Sequence, residues 1–190
     1  MSNEKKDEII KILKEEFNKI KDSGIIDNGI NIEIPDKNNI YEWQVTITAP
    51  RDTLYAGGLF FISIKFPEKY PFDLFDPPEV CFKTPIYHLN VNPIKSDNPP
   101  LGHVFFSKFN YWKPEYKIID ILFEIFILFY SANPRVFYGY DRAKEFRLDI
   151  KLYEKKVKYF TMKYANPREN DINKEYNESW DFFKIIFFIL

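Results

Sequence analysis

The sequence predicts an α+β domain: one helix, then a meander of four antiparallel strands, then further helices. An amphipathic segment opens the chain, four short segments of strand character follow, and the second half returns to helical patterns. Because the strands are grouped and do not alternate with helices, an antiparallel sheet with helices packed on it is favoured. At 190 residues the chain can bury a full core, and a single domain is expected.

The first predicted helix covers residues 4–21, EKKDEIIKILKEEFNKIK, and is about five turns long. Its apolar side chains recur at helical spacing, and charged residues occupy the other face. These apolar side chains are Ile9, Ile10, Leu13, Phe17 and Ile20. Turn-forming residues between 23 and 29 then end the helix and lead into the sheet.

Four segments predict the strands. Residues 30–35 (INIEIP) and 41–48 (YEWQVTIT) alternate apolar and polar side chains, and residues 59–66 (LFFISIKF) are dense in aromatic and β-branched residues. Short connections rich in turn residues favour antiparallel pairing. The four prolines of residues 67–78 exclude that stretch from a sheet interior, and residues 79–82 form the fourth strand.

The second half predicts two or three helices. Residues 116–132 (YKIIDILFEIFILFYSA) are apolar nearly all round, which indicates a buried central helix. The stretch is too short, and too interrupted by Asp120 and Glu124, for a membrane span. Asn133-Pro134 ends it, and residues 140–165 then predict one or two amphipathic helices with Lys and Glu three or four positions apart.

Composition narrows the class of protein. The chain has 27 basic and 28 acidic side chains and no long run of one sign, so nucleic acid is not an expected partner. Its one cysteine forms no internal disulfide, and the N-terminus lacks the apolar run of a signal peptide. We therefore expect a cytoplasmic or nuclear protein.

Residues 88–114 are the candidate functional loop, because they contain both histidines and are rich in Pro, Asn, Asp and Gly. A metal site could join His88 and His103 to Asp97 or Cys81. However, the histidines are far apart in sequence and no Cys-x-x-Cys or His-x-x-x-His is present. We expect neither a metal nor another cofactor, and we expect His88 to make a structural hydrogen bond.

Several motifs in order resemble the ubiquitin-conjugating enzymes. They are YAGGLFFISIKFPEKYP, PPEVCFKTPIYHLN, YWKP, the Asn133-Pro134 pair and the final TMKYA. The resemblance covers roughly residues 5–165, so we expect residues 1–165 to form a domain of the ubiquitin-conjugating fold. Residues 166–190 would then be a C-terminal extension with an apolar end.

The resemblance implies a cysteine that carries ubiquitin, or a related protein, as a thioester. Counting from Gly102 places Phe105 at that position, and counting back from Trp112 places Val104 there. Neither is cysteine. The only thiol, Cys81, lies within a predicted strand, where a cysteine is most often a small buried residue.

Other positions depart from the family pattern as well. Leu89 replaces the proline of His-Pro-Asn, residues 93–100 (PIKSDNPP) lengthen the loop, and residues 135–138 (RVFY) stand where an acidic residue is common. Asn90 occupies the position of the family asparagine. Its amide could stabilise an oxyanion, but without a nearby nucleophile we expect it to hold the loop through backbone hydrogen bonds.

The resemblance also suggests where partners bind. Phe72 and Pro114 match positions that meet ubiquitin ligases in the family, whereas Glu115 replaces the small residue usual there. Residues 73–76 (DLFD) lengthen the neighbouring loop, and an exposed Phe75 could serve a different partner or pack against that loop.

The last eleven residues, WDFFKIIFFIL, include nine apolar side chains, among them Trp180, Phe182 and Phe183. As a helix they would span about 17 Å, well short of the roughly 30 Å of a bilayer core. Three interpretations remain open. The segment covers the domain's own surface, binds a partner or a second copy, or lies at a membrane interface.

We therefore expect a protein of this fold without conjugating chemistry, which binds ubiquitin, a ubiquitin-like protein or an active conjugating enzyme non-covalently. One alternative is a scaffold or trafficking adaptor that uses the fold without ubiquitin binding. A second alternative is a conjugating enzyme with unusual chemistry, which would require Cys81 to be exposed near Asn90.

Overall fold

The computed structural model describes residues 3–23, 29–109 and 111–166, and it confirms the predicted α+β fold. The helices are α1 (Asn3–Asp22), α2 (Ile118–Tyr130), α3 (Tyr140–Leu148) and α4 (Ile150–Tyr164). The strands are β1 (Ile30–Glu33), β2 (Glu42–Thr48), β3 (Leu59–Lys65) and β4 (Glu79–Phe82). The four strands form one antiparallel sheet in the order β1-β2-β3-β4, which is the expected meander.

One face of the sheet forms the floor of the core. The register places Trp43 opposite Ile64 and Val45 opposite Ile62, and all four side chains are buried. Because side chains alternate along a strand, every second residue of β2 and β3 meets its neighbour on this same face. The period-two pattern in the sequence therefore identified both the strands and their buried face.

Aromatic contacts hold α1 and α2 on that face. Phe17 of α1 meets the ring of Trp43 edge-on, with centroids 5.1 Å apart. Phe129 of α2 packs against Phe60 of β3 at 5.2 Å and against Phe82 of β4 at 6.1 Å. Such edge-to-face and tilted pairs stabilise the core beyond the apolar area that they bury.

A buried carboxylate joins the two helices. Glu16 of α1 accepts a hydrogen bond of 2.7 Å from the backbone N–H of Ile118, the first residue of α2, and one of 3.1 Å from the Tyr70 hydroxyl. The Ile118 N–H has no partner within its own helix, so Glu16 satisfies a helix-end donor. Burial raises the pKa of Glu16. In the sequence, Glu16 occupies a position that falls on the apolar face of α1.

Helix α2 differs in one respect from the expected buried helix. Six of its residues are buried, namely Ile118, Ile121, Leu122, Ile125, Leu128 and Phe129. Ile119, Phe123 and Tyr130, on the other side, are 37%, 60% and 52% exposed. Helix α2 is therefore buried on one side only, which its apolar composition did not indicate.

The segment 140–165 forms two helices, α3 and α4. The break lies at Asp149, whose side chain accepts a hydrogen bond of 3.0 Å from the backbone N–H of Leu152 and so caps α4. Within the described ranges, the helices are too short or too polar to cross a membrane.

Candidate functional site

The candidate loop lies along the free edge of β4. Val91 pairs with Val104 and Cys81 pairs with His103 in isolated antiparallel bridges. The backbone N–H of Val104 donates to the carbonyl of Val80 at 2.8 Å. Most of this loop is therefore fixed by backbone hydrogen bonds next to the sheet.

Gly102 permits this close approach. Its φ is +80°, and a Cβ atom at this position would lie 2.1 Å from the carbonyl oxygen of Phe82. The backbone N–H of Phe82 donates to the Gly102 carbonyl at 2.9 Å, which joins the loop to β4. Only glycine tolerates both the backbone angle and the contact.

The structure separates the two positions that could correspond to the nucleophile. Val104 is 3% exposed and belongs to the hydrophobic core. Phe105 is half-buried, and its backbone N–H donates to the carbonyl of Asn90 at 3.1 Å. A side chain at position 105 is thus partly open to solvent beside Asn90, whereas one at 104 points into the core.

Asn90 uses its side-chain amide to hold the segment that follows α2. Its Nδ2 donates to the carbonyl of Asn133 at 2.9 Å and also to the carbonyl of Val136. Its Oδ1 accepts from the backbone N–H of Asn133 at 2.8 Å. Both amide hydrogens and the oxygen are therefore engaged by backbone, and the side chain is fully buried.

His88 is buried and makes structural hydrogen bonds. Its Nδ1 accepts from the backbone N–H of Asn90 at 3.0 Å, so its Nε2 carries the proton and donates to the carbonyl of Leu128 at 3.0 Å. Burial lowers the pKa of His88 to about 4. His88 is therefore a neutral imidazole that links the loop to α2.

His103 lies in different surroundings. Its Nδ1 is 2.8 Å from the hydroxyl of Tyr138, and burial lowers its pKa. The two histidines have separate partners, and in the described part of the chain no three His, Cys, Asp or Glu side chains come together as metal ligands.

Cys81 lies on β4 and is 3% exposed. Burial, and then the charge of Glu79, raise the pKa of its thiol to about 12. The alternative of a conjugating enzyme with unusual chemistry requires an exposed Cys81, but Cys81 is buried. At pH 7 a thiol with so high a pKa is almost entirely protonated.

Sequence reasoning did not single out two further anchors of the loop. Asn92 donates from Nδ2 to the carbonyls of Ile94, Pro99 and Pro100 at 2.9–3.1 Å, which ties residues 93–100 together. Arg142 of α3, 3% exposed, donates from one guanidinium nitrogen to the carbonyls of His88 and Val91. The Asn92-Pro93 pair, which is typical of turns, could have indicated Asn92. A buried arginine has no comparable local signal.

Three of the predicted partner-binding residues, Phe72, Phe75 and Pro114, line two surface grooves that meet at Phe72. One groove, of about 710 Å³, is formed by Ile9, Phe72, Leu74 and Phe75 together with Lys5 and Lys69. The other, of about 390 Å³, brings together Phe72, Pro114, Ile12, Ile20 and Ile119. Glu115 is exposed and lines neither groove, and Phe75 is 81% exposed and does not pack into the domain. The predicted residues Trp180, Phe182 and Phe183 lie outside the described residues.

Comparison with known proteins agrees with this arrangement. The family model for ubiquitin-conjugating enzymes matches residues 12–161. "Probable ubiquitin-conjugating enzyme E2 31" of Arabidopsis thaliana is 35% identical over 129 residues, which are 68% of this chain and 78% of that protein. "Ubiquitin-conjugating enzyme E2 15" of Schizosaccharomyces pombe is 33% identical over 141 residues and covers 68% of this chain and 80% of that protein.

A solved structure gives the same result at the level of the fold. The crystal structure of a protein from Plasmodium yoelii, assigned as a ubiquitin conjugating enzyme, superposes with a TM-score of 0.68 at 27% sequence identity. The match covers 80% of this chain and 92% of that chain. The family model spans well over half of the sequence, and the chain belongs to the ubiquitin-conjugating enzyme family.

Proposed function

We propose that this family member works without a thioester of its own and binds ubiquitin, a ubiquitin-like protein or an active conjugating enzyme non-covalently. The observation that carries the proposal is that no reactive thiol is available. Phe105 or Val104 stands at the nucleophile position, and the only cysteine of the chain, Cys81, is buried with a raised pKa.

The surroundings of position 105 support the same proposal. The amide of Asn90 is used by the backbone of Asn133 and Val136, so it has no hydrogen left to donate to a developing oxyanion. Residues 135–138 supply no carboxylate that could take a proton from an incoming lysine.

Protein binding is supported by the two grooves at Phe72. Phe72, Leu74 and Phe75 are 52%, 45% and 81% exposed, and they form an apolar surface beside the start of α1. Adjacent exposed apolar side chains on a soluble domain mark an interaction site more often than isolated ones do.

The test is a charging reaction with activating enzyme, ATP and ubiquitin, followed by a non-reducing gel. We expect no reducible adduct on the wild-type protein or on Cys81→Ala. In parallel, titration of the protein into isotope-labelled ubiquitin, followed by NMR, measures non-covalent binding, and pull-down with active conjugating enzymes measures the second interaction.

Each outcome points to a different function. Binding without an adduct supports the proposal. An adduct that Cys81→Ala abolishes would contradict it and favour the enzyme with unusual chemistry. Neither an adduct nor binding to either protein would contradict it as well and would favour the scaffold or adaptor function.

A further inference from the structure

Helix α2 presents a line of apolar side chains to solvent. Ile119, Phe123 and Tyr130 are 37%, 60% and 52% exposed, and the half-buried Phe126 contacts the Tyr130 ring at 5.6 Å. Steps of four, three and four residues place all four side chains on one side of a helix. This α2 stripe is about 17 Å long, from eleven rises of 1.5 Å.

The described chain ends close to one end of the α2 stripe. Asn166, which follows α4, shares a cavity of about 420 Å³ with Thr53 and Leu54. Burial raises the pKa of Tyr130, and so does the neighbouring side chain of Asp52, the residue before Thr53. The loop at residues 52–54 therefore connects the exit of the chain to the Tyr130 end of the stripe.

The segment beyond this exit has a matching length. Residues 180–190 are apolar except for Asp181 and Lys184, and eleven residues of helix span about 17 Å, the length of the α2 stripe. At helical spacing, Phe183, Ile186, Phe187 and Leu190 fall on one side, whereas Asp181 lies opposite them and Lys184 lies outside this side.

The connection between exit and segment is long enough. Residues 167–179 form a polar linker of thirteen residues, which can extend to about 43 Å. A tether of this length keeps the segment near the stripe at an effective concentration on the order of millimolar. Docking within one chain is therefore favoured over docking between copies at ordinary protein concentrations.

We propose that residues 180–190 dock on the α2 stripe of the same chain. The segment covers an apolar surface that would otherwise be open, and a partner that uses this side of α2 has to displace it. The contact goes beyond the proposed function, because the stripe shares only Ile119 with the grooves at Phe72 and the docking holds whether or not the chain binds ubiquitin.

The tryptophans of the chain give a direct test. The sequence has three, and Trp43 and Trp112 are 0% and 1% exposed, so iodide quenching of tryptophan fluorescence in the folded protein reports mainly on Trp180. In the full chain at low micromolar concentration we expect all three to be shielded. In the double variant Ile119→Gln/Phe123→Gln, one of the three becomes quenchable.

A matched control changes two exposed apolar residues outside the stripe, Leu148→Gln/Ile150→Gln, which are 77% and 45% exposed in the wild type. This control leaves Trp180 shielded. The tail variant Ile186→Gln/Phe187→Gln releases Trp180 without altering the described domain, so the test does not depend on how well the α2 variant folds. Neutral glutamines leave the local charge that iodide meets unchanged.

Four results would overturn the proposal. The first is a Trp180 that iodide already quenches in the wild type, and the second is a Trp180 that the tail variant exposes but the α2 variant does not. The third is shielding of Trp180 that grows with protein concentration, and the fourth is shielding of Trp180 that requires added lipid vesicles. The second places the segment elsewhere on the domain, the third on a second copy, and the fourth on a membrane surface.

Discussion

At the scale of single residues, positions 104 and 105 are where the capacity of this fold to carry a thioester can be tested. In a Cys81→Ala background, we expect Phe105→Cys to react readily with a thiol-labelling reagent and Val104→Cys to react slowly. The reason is that residue 105 is half-buried beside Asn90, whereas residue 104 is 3% exposed in the core. The measurement is the rate of labelling followed by mass spectrometry.

The same two variants can be incubated with activating enzyme, ATP and ubiquitin. A reducible adduct on Phe105→Cys, and none on Val104→Cys, would identify residue 105 as the vestige of the nucleophile position. Faster labelling of Val104→Cys would instead favour the alignment counted back from Trp112.

The lowered pKa of His88 leads us to expect that the stability of the domain depends on pH. Burial lowers its pKa to about 4 in the folded protein, against about 6.5 in an unfolded chain. Between these two pH values the unfolded chain binds a proton that the folded protein does not. The contribution of His88 to the free energy of unfolding therefore falls as pH drops from about 6.5 to about 4, and it is constant below pH 4. The loss is on the order of 3 kcal/mol.

Urea unfolding of the wild type and of His88→Gln at several pH values isolates this contribution. Glu16, whose raised pKa acts in the opposite direction, and His103 affect both proteins equally. We expect the wild type to be the more stable at pH 7 and its advantage to shrink toward pH 4. An advantage that does not change with pH would show that His88 takes up its proton at the same pH in the folded protein as in the unfolded chain.

At the scale of elements, Asn90 is expected to hold the connection between α2 and α3. Asn90→Ala leaves the backbone N–H of Asn133 and two carbonyls without their partner, which costs about 3 kcal/mol of stability. Hydrogen exchange should increase in residues 131–139. Asn92→Ala, which removes the contacts to residues 94–100, should raise exchange in its own loop. Equal effects of both variants on residues 131–139 would contradict the assignment.

The sequence predicted elements better than it predicted their contacts. The fourth strand was predicted at its observed bounds, and the first three strands were located within two residues, because alternation marks a sheet with one buried face. The exposure of Phe123 was not predicted, since α2 is apolar apart from Asp120 and Glu124 and its orientation is set by the sheet. The partners of Asn90 and Glu16 lie 43 and 102 residues away along the chain, so local patterns could not indicate them.

At the scale of the whole molecule, the sheet and α2 are joined by one aromatic cluster with Phe129 at its centre. The ring of Phe129 contacts Tyr55, Phe60 and Phe82, which belong to the sheet and to the loop before β3. Phe129→Ala opens a cavity between the two layers and should lower the free energy of unfolding by about 3–5 kcal/mol. Because this cluster joins both layers, unfolding monitored by far-UV circular dichroism should keep a single transition.

Phe123→Ala provides the matched control, since it makes the same substitution on the same helix at a side chain that is 60% exposed. The substitution should lower the free energy of unfolding by about 1 kcal/mol or less, which is the range of most surface substitutions together with the loss of one contact to the proposed docked segment. A similar loss of stability in the two variants would mean that the outer side of α2 is as tightly packed as its inner side. A large loss in Phe129→Ala alone, with the urea midpoint lowered and the slope unchanged, would place the stability of the domain at the junction of sheet and helix.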